Sequence, residues 1–122
     1  MERNGKGLKD LCKIEFRGLK EINLHKNNIS NIEVLTKAKF DKLEILNLGQ
    51  NEIEDIKALE KVNFKELKEL YLYSNNISHI TVFENNIFEK LEILYLYDNK
   101  IDKNKNTALI SRLKSKIMDF NI

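Results

Sequence analysis

Leu67-Lys68-Glu69-Leu70-Tyr71-Leu72-Tyr73-Ser74-Asn75-Asn76-Ile77 is the stretch whose reading decides the fold. Its pattern, L-x-x-L-x-L-x-x-N-x-I, returns in copies starting at Leu19, Leu43 and Leu91, each start lying 24 residues from the next. A period kept without insertion or deletion is the mark of a repeat architecture, in which a unit buries its apolar face only against its neighbours.

Working outward, two periodicities alternate within each unit. The L-x-L core (Ile22/Leu24, Leu46/Leu48, Leu70/Leu72, Leu94/Leu96) has period two, which predicts a short strand with one face inward. Strands that return in the same direction every 24 residues pair in parallel and need a crossover of about a dozen residues. The continuation Ile29, Ile32, Leu35, Ala38 steps by three, as do Ile53, Ile56, Leu59, Val62, and this spacing suits a helical or tighter 3₁₀ crossover. Asp55 and Ser78 stand where an N-cap would help. Phe40, Phe64 and Phe88, with Phe16 before them, form an aromatic column on the crossover side, read as core packing.

The domain organisation follows from the period. Residues 1–18 carry the second half of a unit and are expected to cap the N-terminal end. Four repeats occupy 19–42, 43–66, 67–90 and 91–106. From Thr107 the spacing Leu109, Ile110, Leu113, Ile117 is helical, which predicts a C-terminal capping helix over 107–122. Asn27, Asn51, Asn75 and Asn99 hold the ninth position of each repeat, where the chain leaves the strand and backbone groups lose their ladder partners. They read as a structural ladder with no binding role.

These residues resemble the leucine-rich repeat family, in Leu19-x-x-Ile22-x-Leu24-x-x-Asn27-x-Ile29 and its three copies, over Leu8 to Ile101. The continuation after the Asn resembles the intracellular type of that family. The resemblance implies an α/β fold: a right-handed solenoid with a parallel sheet on the concave face, helical or 3₁₀ crossovers on the convex face, and a partner protein bound on the sheet.

Composition sets limits on function. The chain is 42% hydrophobic and 33% charged with a formal charge of +2, too mild to name a polyanionic partner. Cys12 is the lone cysteine, so no intramolecular disulfide forms and a reducing, intracellular and cytoplasmic setting is the expectation. No signal peptide or run of apolar residues long enough for a membrane span is evident. No catalytic constellation, phosphate loop or metal-ligand spacing is found. His25 and His79 occupy different repeat positions, and no cofactor or metal is implied. The expectation is a non-enzyme.

With the fourth and sixth positions inward, the third, fifth and seventh face outward on the sheet. The third column reads Glu21, Ile45, Glu69, Ile93; the fifth Asn23, Asn47, Tyr71, Tyr95; the seventh His25, Gly49, Tyr73, Tyr97. All four tyrosines of the chain fall there, on repeats three and four. Tyrosine combines apolar area, a hydroxyl and few rotamers, so this block predicts a protein-binding anchor, with Ile93, Glu69, His25, Asn47 and Asp98 around it. Duplication of a good strand residue is the plainer explanation. Single-stranded RNA stacked on the tyrosines is a competing reading, and Glu21, Glu69 and Asp98 argue against it. A structural subunit of a larger complex is a third. The expected partner is another protein, with neither nucleic acid nor membrane, and the chain is expected as a monomer or a subunit of a larger complex.

Overall fold

A computed structural model describes residues 18–122. The N-terminal cap expected over 1–18, with Cys12 and Phe16, therefore lies outside the described residues apart from Gly18.

Four strands, β1 (Glu21–Asn23), β2 (Ile45–Asn47), β3 (Glu69–Tyr71) and β4 (Ile93–Tyr95), pair in parallel in chain order. Their register sets Ile22 beside Leu46, Leu46 beside Leu70 and Leu70 beside Leu94, so equivalent repeat positions stand side by side. The inward positions are sealed: Ile22, Leu24, Leu70, Leu72 and Leu94 have no exposed surface. Leu70 stands between Leu46 and Leu94 on the neighbouring strands, and truncating it to alanine should cost roughly 2–5 kcal/mol.

The crossovers resolve to 3₁₀ turns, at Glu33–Lys37, Lys57–Glu60, Thr81–Asn85 and Lys103–Asn106. The amides of Leu35, Leu59 and Phe83 donate to the carbonyls of Ile32, Ile56 and Ile80 at 3.0–3.1 Å, the three-residue hydrogen bond that matches the three-residue apolar step. Asp55 Oδ1 accepts from the Lys57 N–H at 2.8 Å at the start of one turn, whereas the turn after Ser78 has no side-chain cap. Phe40, Phe64 and Phe88 are buried, and their carbonyls accept from the N–H of the leucine that opens the next repeat, Leu43, Leu67 and Leu91. The Phe40 and Phe64 rings meet at 6.2 Å.

One backbone feature recurs with the period and is silent in the side-chain pattern. Lys26, Gln50, Ser74 and Asp98, the residue before each ladder Asn, all have φ between 52° and 59°. None is glycine, so each repeat carries a left-handed residue with a Cβ, a conformation disfavoured by about 1–2 kcal/mol.

The C-terminal segment departs from the expectation of a helix over 107–122. Helix α1 spans Thr107–Lys116, burying Leu109, Ile110 and Leu113, and the chain then forms a fifth strand, β5 (Asp119–Asn121). Strand β5 pairs in parallel with β4, placing Phe120 beside Leu94 and Asp119 beside Ile93. The apolar residues Leu109 to Ile117 satisfy a helix, but Asp-Phe-Asn-Ile at the end alternates with period two. Because β5 follows β4 by two residues more than the repeat period, counting by 24 passes over it.

Candidate interaction surface

Three of the four ladder asparagines tie adjacent repeats together at the strand ends that carry the outward residues. Asn51 Oδ1 accepts from the Asn27 N–H at 2.9 Å and the Ile29 N–H at 3.0 Å, while its Nδ2 donates to the carbonyls of Leu24, Leu48 and Gly49 at 2.9–3.1 Å. Asn75 and Asn99 repeat the arrangement, accepting from Ile53 and Ile77 and donating into their own and the preceding repeat. Asn27 donates to the His25 carbonyl at 2.8 Å. At Asn51, Asn75 and Asn99 one amide thus satisfies backbone groups of two repeats at once, tying the turns after β2, β3 and β4 to the preceding repeat.

On that rigid support the tyrosines form one packed block. Tyr71 and Tyr95, paired across β3 and β4, meet edge to face with centroids 5.1 Å apart. Tyr73 and Tyr97 stack at 5.2 Å with an interplanar angle of 10°, and Tyr95 and Tyr97 join the pairs at 5.9 Å. The two separations between adjacent repeats, 5.1 and 5.2 Å, sit close to the ~4.8 Å spacing of neighbouring strands, so the sheet itself sets that ring spacing. All four rings are half-buried.

Gly49 completes the block from below. A Cβ built on it would overlap the Tyr73 ring, with Cε2 at 2.7 Å, so the ring lies directly over the glycine backbone. The absence of a side chain in the seventh position of repeat two is what lets Tyr73 lie flat. A glycine one period before a tyrosine was the sequence signal for this contact.

Strand β5 brings in a residue that repeat counting missed. Asp119 extends the third column, and its Oδ2 accepts from the Tyr95 hydroxyl at 2.6 Å. That bond raises the Tyr95 pKa, with desolvation second. Burial pushes Tyr71 up to about 12, helped by the Glu69 carboxylate beside it. Both phenols therefore stay neutral and keep their protons at physiological pH.

The remaining positions divide. Ile93 pairs with Glu69 across β3 and β4, at the border of the tyrosines. Asp98, next to Tyr97, accepts from the Ser74 hydroxyl at 2.8 Å. His25 and Asn47 do not join the block. His25 lies at the other end of the sheet, 2.5 Å from Asn23 Oδ1 through its Nδ1, and Asn47 Oδ1 accepts from the Gly49 N–H at 2.9 Å. The fifth-column asparagines thus serve their own strand ends, a bond the tyrosines in the same column cannot make. Among the described residues no helix is long and apolar enough to cross a membrane, and no group of three or more His, Cys, Asp and Glu could hold a metal ion.

Comparison with known proteins matches this geometry. The profile of the leucine rich repeat family covers residues 17–77, half of the chain, and the chain belongs to that family. Among solved structures it is similar to internalin C2 of Listeria monocytogenes str. 4b F2365, at 26% identity and a TM-score of 0.67 over 86% of this chain and 42% of that one. It also shares the fold of an internalin (inlF) of the same organism, at 21% identity and a TM-score of 0.51 over 85% of this chain and 35% of that one. The chain thus spans less than half the length of either. No curated protein matches the sequence. The class defined by fold and family is a leucine-rich repeat solenoid, whose stacked repeats create an extended surface.

Proposed function

We propose that the protein binds a partner protein on its concave sheet, anchored by Tyr71, Tyr73, Tyr95 and Tyr97, without catalysis and inside the cell. The single observation that carries this reading is the packed, half-buried tyrosine block, whose rings touch one another at 5.1–5.9 Å on a face fixed by the Asn ladder. Rigid aromatic surface loses little entropy on binding, and contiguous patches of this kind mark interaction sites. Repeats one and two, with Asn23, His25 and Asn47 in the same columns, supply the polar continuation of the face. RNA fits less well, because Asp119 now joins Glu21 and Glu69 in the third column and all three carboxylates would repel phosphate.

The test is affinity capture from native cell extract by the wild-type protein and by a Tyr73→Ala/Tyr97→Ala variant whose fold is verified by circular dichroism. A protein retained by the wild type and lost by the variant supports the reading. Equal retention by both would refute it.

A further inference from the structure

Charge is segregated on the outward face of the sheet. Across β1 to β5 and the seventh-column residues that follow, the ionised side chains are Glu21, Glu69 and Asp119. Not one of these positions is Lys or Arg, in a chain with 21 of them and a net charge of +2. Lys20 and Lys68, each one residue before a third-column glutamate, are drawn to Glu44 at 3.9 and 3.3 Å, and Lys26 occupies in repeat one the turn position that Asp98 holds in repeat four.

The carboxylates are not scattered relative to the rings. Asp119 is hydrogen-bonded to Tyr95, Glu69 is two residues before Tyr71 on the same face, and Asp98 follows Tyr97. Neutral tyrosines present the electron-rich faces that attract a cation, and carboxylates at their border accept the N–H groups of a guanidinium. A flat guanidinium can satisfy both demands at once, stacking on a ring while its fork of donors reaches a carboxylate. An acidic or purely apolar partner segment would leave these carboxylates desolvated and unpaired.

We infer that the partner segment received by the tyrosine block is basic and is anchored by arginine, seated on the Tyr71/Tyr73/Tyr95/Tyr97 rings and paired with Glu69 and Asp119. This deepens the concave-face reading and rests on it. Both phenols whose titration is displaced upward remain protonated, so the rings meet the cation as neutral surfaces while the negative charge stays on the carboxylates.

The test uses fluorescein-labelled Gly-Ser peptides carrying several arginines, with lysine and glutamate peptides of the same length, titrated by fluorescence anisotropy. The arginine peptide should bind, the lysine peptide more weakly, and the glutamate peptide not at all. A Glu69→Gln/Asp119→Asn variant should weaken arginine-peptide binding at least about tenfold, and Tyr73→Ala/Tyr97→Ala should do the same. Thermal melts establish that both variants are folded. The inference is overturned by absence of arginine-peptide binding, by glutamate-peptide binding of equal or greater strength, or by unchanged affinity in either variant. A uridine oligonucleotide that binds in place of the arginine peptide would also overturn it. Because these probes replace the native partner, failure here overturns the basic-segment inference alone, while the concave-face reading on which it rests is decided by partner capture.

Discussion

Replacing Asn51 with alanine removes the amide that ties repeat one to repeat two, and its cost can be worked from the bonds it makes. Asn51 is 8% exposed. Its Oδ1 takes two backbone donors, Asn27 N–H and the buried Ile29 N–H, and its Nδ2 serves the carbonyls of Leu24, Leu48 and Gly49. An orphaned buried donor costs about 1–3 kcal/mol, and the half-buried Asn27 N–H can recover part of its loss from water. Asn51→Ala should therefore lose roughly 2–4 kcal/mol. Asn75 is as buried and accepts from Ile53 N–H, so Asn75→Ala should lose about 1–3 kcal/mol. Asn99 is half-buried and should lose least, since water reaches the groups it leaves. Urea unfolding followed by circular dichroism gives the three values, with the slope of the transition checked to confirm that the repeats still unfold together. A loss below about 0.5 kcal/mol for Asn51→Ala, or an order in which Asn99 is the costliest, would refute the ladder's assigned role.

Three further outcomes are expected. Gly49→Ala should leave the fold in place but tilt Tyr73 off its seat, losing the Tyr73–Tyr97 stacking shifts in the NMR spectrum at a stability cost of about 0.5–1.5 kcal/mol; unchanged ring shifts would contradict the close approach. Absorbance titration near 295 nm should show a tyrosine ionising at about 12, abolished in Tyr71→Phe. Since Tyr71 is harder to ionise folded than unfolded, its contribution to stability is complete below pH ~10 and declines as pH rises toward 12. Gln50→Gly, at φ 56° on an exposed turn, should be neutral or stabilising by up to about 1 kcal/mol, while Gln50→Val should destabilise by about 1 kcal/mol or more in the same urea assay.

How much of this was legible in the sequence depends on which atoms carry the information. The inward positions, such as Ile22 and Leu46, and the four ladder asparagines are side-chain demands repeated in register, so the period exposed both the parallel sheet and the turns. Strand β5 escaped because helix α1 consumes a length that breaks the period, and with it Asp119 and its bond to Tyr95 went unread. The left-handed residues Lys26, Gln50, Ser74 and Asp98 share no residue type, because the constraint at that position falls on the backbone. The tyrosine face was visible from alternation alone. Its internal packing was not, since edge-to-face and stacked pairs depend on rotamers that column membership does not set. His25 shows the limit from the other side: it shares a column with Tyr73 yet lies two repeats away, turned to Asn23.

Concentration of binding energy at the seam of repeats three and four is tested most directly by calorimetric titration of the captured partner against Tyr71→Ala, Tyr95→Ala and, as a control on the same face, Asn23→Ala. Each tyrosine variant is expected to weaken binding by at least about 2 kcal/mol, while the Asn23 variant stays within about 0.5 kcal/mol of wild type. Equal losses at all three positions, or full affinity in both tyrosine variants, would contradict a tyrosine anchor.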